Sequence, residues 1–256
     1  MTLFQFGIRL LKEAIKIARP KFTAQISYDT KPTNPRLGQE YNHMICWHEK
    51  YNLGDKHNFK SEKELFEHLM KKANIKPEEI GVDMEDFENS KKTILDELKK
   101  HIPIIPLFLY DGKFPEMTTA SERQGMKGEF VGYIFMYGEQ LEKLFGGDGE
   151  EQIKNGVWYL IEDAELYSNY ISGNNFLYEL FKDGEHFCAM SGFIGQMNEK
   201  MLHDMEVSAE EALVGEHVTA EEVTDMFGVD APQIIEDKTQ ESVPNIENVE
   251  YEEMEI

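Results

Sequence analysis

Short apolar runs of strand length, broken by glycine-containing turns and by segments of helical period, restrict this chain to a mixed fold. Phe22-Thr23-Ala24-Gln25-Ile26-Ser27-Tyr28 alternates apolar and polar residues, the pattern of a half-buried strand. Met44-Ile45-Cys46-Trp47 and residues 102–110 and 130–136 are continuous apolar runs, as in buried strands. Pro103 and Pro106 argue that part of 102–110 lies on a sheet edge, because proline has no N–H for a neighbour. Residues 175–181 and 186–193 flank Lys182-Asp183-Gly184-Glu185, a hairpin signal. Ser61 and Glu64 form a capping box before Leu65, Phe66, Leu69 and Met70, which fall on one helix side. Further helices are expected over 90–100, 140–145 and 151–171. In the last, Trp158, Ile161, Ala164 and Leu166 supply apolar positions and Gly173 a stop. The expected class is α+β: a mixed, mostly antiparallel sheet with helices packed on one face.

Charge divides the chain. The net charge is −23 over 256 residues. Residues 203–256 hold 17 acidic residues against Lys238 alone, which is −16 of that total and leaves −7 for residues 1–202. Phosphate backbones are bound by clustered Lys and Arg, so direct nucleic-acid binding through a basic patch is not expected. Two cysteines, Cys46 and Cys188, in apolar surroundings suit reduced thiols in a cytoplasmic setting. The expected organisation is a basic amphipathic helix over 1–20, an α+β core over 22–197, an acidic segment with short helices over 198–237, and a disordered acidic tail over 238–256. Leu3, Phe6, Leu10, Ile15 and Ile17 make the apolar face of the first helix, and Arg9, Lys12, Lys16 and Arg19 make it too charged to span a bilayer. Packing on the domain or against the acidic tail is favoured over a membrane surface.

Residues 28–58 gather three imidazoles, a thiol and a guanidinium around the Met44-Ile45-Cys46-Trp47 run. His43, His48 and His57, with Cys46 or Asp55, are metal-ligand types. Strand geometry separates them: Met44, Cys46 and His48 share one face, and His43, Ile45 and Trp47 the other. A metal site would need the 52–57 loop to fold back, so no metal is expected. The alternative reading makes Cys46 a core residue and His48 a strand-end cap. Asn34-Pro35-Arg36 reads as a turn that projects Arg36, and Gly54 offers a positive φ to the turn ahead of Asp55. Arg36 suits a carboxylate or phosphate; Asp55 or Asp29 could be its internal partner, or a ligand could. The ligand-binding candidates are therefore Asp29, Asn34, Arg36, His48, Asp55 and His57. No phosphate-binding glycine loop or nucleophile elbow is present, and no cofactor follows from the residues.

The order of motifs is specific. Asn34-Pro35-Arg36, Met44-Ile45-Cys46-Trp47-His48 and Tyr51-Asn52-Leu53-Gly54-Asp55-Lys56-His57 are followed by Ile105-Pro106-Leu107-Phe108-Leu109-Tyr110-Asp111 and Val131-Gly132-Tyr133-Ile134-Phe135. Tyr167-Ser168-Asn169-Tyr170-Ile171-Ser172-Gly173 and Ser191-Gly192-Phe193-Ile194-Gly195 close the series. Over residues 22–196 this series resembles a family of uncharacterised proteins encoded by bacteriophages and other mobile elements. The resemblance implies a phage context and the host cytoplasm, and brings no reaction. Such proteins carry a Cys-Pro-Trp-Asp-like segment where this chain has Ala120-Ser121-Glu122-Arg123-Gln124-Gly125, and lack the basic helix and acidic tail.

In the acidic segment, Ser208 with Glu211 and Thr219 with Glu222 read as capping boxes of short helices. Val223, Met226 and Phe227 are candidate partner-binding residues. Two function classes follow. The first is an acidic protein that binds a host or phage protein, modulating a host or defence factor. The second is an enzyme or binder of a phosphorylated ligand or metal through the 29–57 candidates. Neither fixes an oligomeric state.

Overall fold

The computed structural model describes residues 22–215 and the short strand Gln233–Ile234. The expectations for the basic N-terminal helix, for Thr219, Val223, Met226 and Phe227, and for the 238–256 tail lie outside the described residues. In chain order the elements are β1 (Phe22–Tyr28), β2 (His43–Cys46), α1 (Glu62–Lys72), α2 (Phe87–Leu98), β3 (Ile104–Tyr110), β4 (Glu116–Thr118), β5 (Glu122–Arg123) and β6 (Met126–Lys127). They continue with β7 (Glu129–Phe135), α3 (Gly138–Phe145), α4 (Glu150–Ile171), β8 (Asn175–Lys182), β9 (Glu185–Ile194), α5 (Glu199–Gly215) and β10 (Gln233–Ile234). The protein is α+β, with antiparallel sheets and helices. Among the described residues no helix is long and apolar enough to cross a membrane.

The described residues form two compact units, one of residues 22–32 with 175–215 and the strand Gln233–Ile234, and one of residues 33–174. In the first unit the sheet order is β10-β1-β8-β9. β1 runs antiparallel to β8, with Ile26 opposite Tyr178, and parallel to β10. Asp183 and Gly184 both take positive φ between β8 and β9, the conformation a two-residue hairpin turn needs. Helix α5 covers this sheet with Met205, Ala209 and Leu213, a four-residue spacing that puts all three on one fully buried stripe. Asn198 caps it, its Oδ1 accepting the Met201 N–H at 2.9 Å. Ser208, expected to cap a short helix, lies inside this longer one and donates its hydroxyl to the Asp204 carbonyl. The burial of the Met205 stripe is why the helix runs through the capping-box position. The expected boundary at residue 197 falls inside this unit.

The second unit carries the sheet β2-β7-β3-β4, antiparallel throughout, with the small exposed ribbon β5-β6 beside it in sequence. Ser61 caps α1 as its sequence predicts, accepting the Glu64 N–H. Leu65, Phe66, Leu69 and Met70 of α1 and Phe87, Ile94 and Leu98 of α2 pack with Ile45, Ile104, Tyr133 and Phe135 of the sheet. Helix α4 reaches the opposite side: its Tyr167 bonds Gly54, which lies against the Met44 and Cys46 side chains. The helices of this unit are thus divided between the faces. Pro106 pairs only toward β7, because β4 meets β3 at Phe108, Leu109 and Tyr110; the proline sits where the other side of β3 is open. Gly132, between β2 and β3, has φ +156, and a Cβ there would lie 2.0 Å from the Ile45 carbonyl oxygen. Only glycine fits that crossing.

Helix α4 buries only part of its apolar set. Its buried stripe is Gly156, Leu160, Ala164, Tyr167, Tyr170 and Ile171. Ala164 belongs to it, but Trp158 is 67% exposed and Leu166 38% exposed. The period of 3.6 residues centres the stripe on small and tyrosyl positions, which turns the indole outward.

One buried group of the first unit tests this core. The Tyr178 hydroxyl has no hydrogen-bond partner among the described residues, and burial, with Glu206 nearby, pushes the phenol up to about 12. An unsatisfied buried hydroxyl costs stability, so Tyr178→Phe is expected to stabilise by about 1 kcal/mol, seen as a higher urea midpoint at unchanged slope. A loss of that size would mean the hydroxyl has a partner.

Candidate functional site

The turn after Thr33 is closed by Asn34, whose Oδ1 accepts the Arg36 N–H at 2.8 Å and whose carbonyl accepts the Leu37 N–H at 3.0 Å. Asparagine is suited to this because its side chain mimics a backbone turn. The turn sends the Arg36 side chain inward, where it is 3% exposed. Its Nε and Nη2 donate to the two carboxylate oxygens of Asp55 at 2.8 and 2.7 Å, a bidentate pair. Nη1 donates to Asn42 Oδ1 at 2.8 Å and to Asp163 Oδ2, and Nη2 also reaches the Asn42 carbonyl at 3.4 Å. A guanidinium has five N–H donors, and all five are used within the chain. Arg36 and Asp55 hold each other.

The carboxylates are supported in turn. Asp55 Oδ2 accepts the Met44 N–H at 2.7 Å, while the Asp55 N–H donates to the Met44 carbonyl at 2.7 Å. These two bonds satisfy Met44 on the open side of β2, the edge strand of its sheet. Asp163 accepts from Asn42 Nδ2 at 3.1 Å and Gln39 Nε2 at 3.3 Å. Gly54 makes the turn possible with φ +71, since a Cβ would lie 2.4 Å from the Met44 carbonyl oxygen, and its N–H donates to the Tyr167 hydroxyl at 2.9 Å. Burial acts to lower the Arg36 pKa, but Asp55 and Asp163 outweigh it and the net direction is up. The guanidinium is fixed as a cation.

Asp163 is the member sequence reading missed, with Gln39, Asn42 and Tyr167 behind it. It lies 127 residues from Arg36, so no local spacing points to the pair. One signal was available: Asp163 falls among Leu160, Ala164 and Tyr167 on the buried side of α4, and a carboxylate facing a core needs a cation.

The other candidates are dispersed. Asp29 belongs to the first unit; its Oδ1 accepts the Lys31 N–H at 2.8 Å, and its own N–H donates to the Asn175 carbonyl. His48 Nδ1 accepts the N–H groups of Lys50 and Tyr51 at 3.1 and 3.0 Å, which places its proton on Nε2, 3.7 Å from Glu129, with the ring stacked on Tyr51. It closes the turn after β2. His57 donates Nε2–H to the Cys46 carbonyl at 2.9 Å, edge-on to Trp47, while its Nδ1 is buried without a partner among the described residues. His43 lies between Phe135 and Tyr137 and meets Gln140 at 3.2 Å. Among the described residues no group of three or more His, Cys, Asp or Glu side chains is placed to hold a metal ion. Burial raises the pKa of the Cys46 thiol far above its ordinary value, so the thiol is a core group with no tendency to ionise.

No protein-family model matches the chain, and no curated protein or solved structure matches it.

Two outcomes follow from this geometry. Arg36→Ala leaves Asp55 and Asp163 facing each other uncompensated and is expected to destabilise by about 3–5 kcal/mol in chemical unfolding, with Arg36→Lys recovering only part because an ammonium cannot make the fork. A loss below about 1 kcal/mol would show that the cluster is dispensable. The second outcome concerns pH. Burial lowers the pKa of His43 and of His68, the latter also because Lys72 and Lys71 are near. The unfolded chain therefore binds protons first, and stability is full above the ordinary imidazole value of about 6.5 and falls as pH drops below it. Thermal melts between about pH 7.5 and 5 should show this decline. It should flatten in His43→Phe with His68→Phe; an unchanged slope would remove these two histidines as the cause.

Proposed function

We propose that this protein acts by binding another protein, as a phage-encoded acidic module directed at a host or defence-system factor in the host cytoplasm. The observation that carries the reading is the saturation of Arg36. The densest reactive cluster in the sequence spends its donors on Asp55, Asp163 and Asn42, so it is built to hold a surface in shape. The net charge of −23 supplies long-range attraction to a basic partner and sets association rate more than final affinity. The motif order from Asn34 to Gly195 supports the phage context. An enzyme or ligand binder using Asp29, Arg36, His48, Asp55 and His57 would first have to break the Arg36–Asp55 fork, and no observation favours that second reading.

Affinity capture from host lysate tests the proposal, with the full chain and a chain ending at residue 237. An end at residue 202 would strip Met205, Ala209 and Leu213 from the core and unfold the first unit. The full chain is expected to retain a partner at low salt and to lose most of it at about 0.5 M, where charge is screened within a few ångströms. The 1–237 chain should retain less of it. Absence of any retained protein, or retention indifferent to salt, would overturn the reading.

A further inference from the structure

Among the described residues of the second unit, a tryptophan in the middle of a well-anchored helix is turned to solvent. Trp158 is 67% exposed on α4, and Leu166, two turns on along the same side, is also exposed. Leu37 is 73% exposed, on the turn that carries Arg36. The two segments are fastened together. Arg36 and Gln39 both bond Asp163, and Gln39 also meets the Tyr159 hydroxyl. Leu37 follows Arg36 and Trp158 precedes Tyr159, so both exposed side chains spring from positions next to that clamp. Their backbones are held before anything binds, which removes much of the ordering cost of an interface.

The rim is acidic on balance. Glu151, Glu162 and Glu165 are exposed on the same helix, and its exposed Lys154 is tied to Glu150 at 2.8 Å. An indole anchor with an acidic surround is complementary to an apolar socket flanked by Lys or Arg. It is repelled by phosphate groups, whether of lipid or of nucleic acid.

We propose that the face of α4 around Trp158, with Leu37 beside its clamp, is the docking surface for a basic protein partner that receives the indole in an apolar socket. This rests on the protein-binding reading above and names its site. The clamp explains why a buried ion cluster is built under this face: it holds the turn and the helix in fixed register for a partner.

The test uses the full chain and a labelled helical peptide of leucine and lysine with one apolar face, together with its leucine–glutamate counterpart. The basic peptide is expected to bind the wild type and to bind Trp158→Ala about tenfold or more weakly, the loss of an anchor residue. Leu37→Ser should weaken it less, and the Glu162→Gln, Glu165→Gln pair should reduce its salt dependence. Met126→Ser, on the exposed β5-β6 ribbon, should leave binding unchanged. Circular dichroism melts check that each variant is folded. Failure of the basic peptide to bind, equal binding to Trp158→Ala, binding of the glutamate peptide, or Trp158-dependent binding to anionic vesicles would each overturn the proposal. Repeating the lysate capture with Trp158→Ala separates the two readings. A partner kept by both proteins places the interface elsewhere and leaves the binding function standing; a partner held by neither removes the function itself.

Discussion

The second unit depends on one buried cation. A guanidinium removed from water is costly, and its cost is offset only if every donor finds an acceptor and the charge finds its opposite. Arg36 meets both conditions. Two carboxylates more than balance one positive charge, and the excess negative charge is spread over N–H donors from Met44, Asn42 and Gln39. The members of the cluster come from four pieces of structure: Arg36 from a turn, Met44 from an edge strand, Asp55 from a glycine loop and Asp163 from a long helix. A planar fork enforces direction as well as proximity, so the cluster sets register where apolar packing alone would tolerate sliding.

That role accounts for the neighbours. The edge of β2 would otherwise present unpaired backbone groups, and Asp55 closes it with one donor and one acceptor. Tyr167 then ties the same loop to α4 through Gly54, and Ser168 Oγ accepts the Met117 N–H of β4 at 2.9 Å. The imidazoles of the segment take separate places in this frame. His43 and His57 pack among aromatic rings and His48 closes a turn, each with its own bond. They share a stretch of sequence without sharing a site.

Much of the fold is legible in the sequence because its signals are local. The Ser61 cap, the Asp183-Gly184 turn, the Gly54 turn and the alternation of 22–28 are fixed by bonds and dihedrals within a few residues. Signals fail where distant burial decides. Ser208 reads as a cap, yet Met205, Ala209 and Leu213 find a sheet and carry the helix through it. Trp158 counts among the apolar positions of its helix, yet the buried stripe of α4 is centred on Leu160 and Ala164 and the indole is left outside.

The candidate cluster divides along the same line. Sequence by itself determined that Asn34 turns the chain and that Gly54 permits a tight loop before Asp55. It also determined that His43 and Cys46 fall on opposite faces of a strand, because these follow from backbone sterics over a few bonds. Whether Arg36 would face a ligand or a carboxylate was decided only in three dimensions. Its second acid, Asp163, stands 127 residues away, and it is the packing of α4 on the sheet that brings that charge to the guanidinium. Coulomb attraction acts through space, and the chain order does not record which charges will share a dry interior.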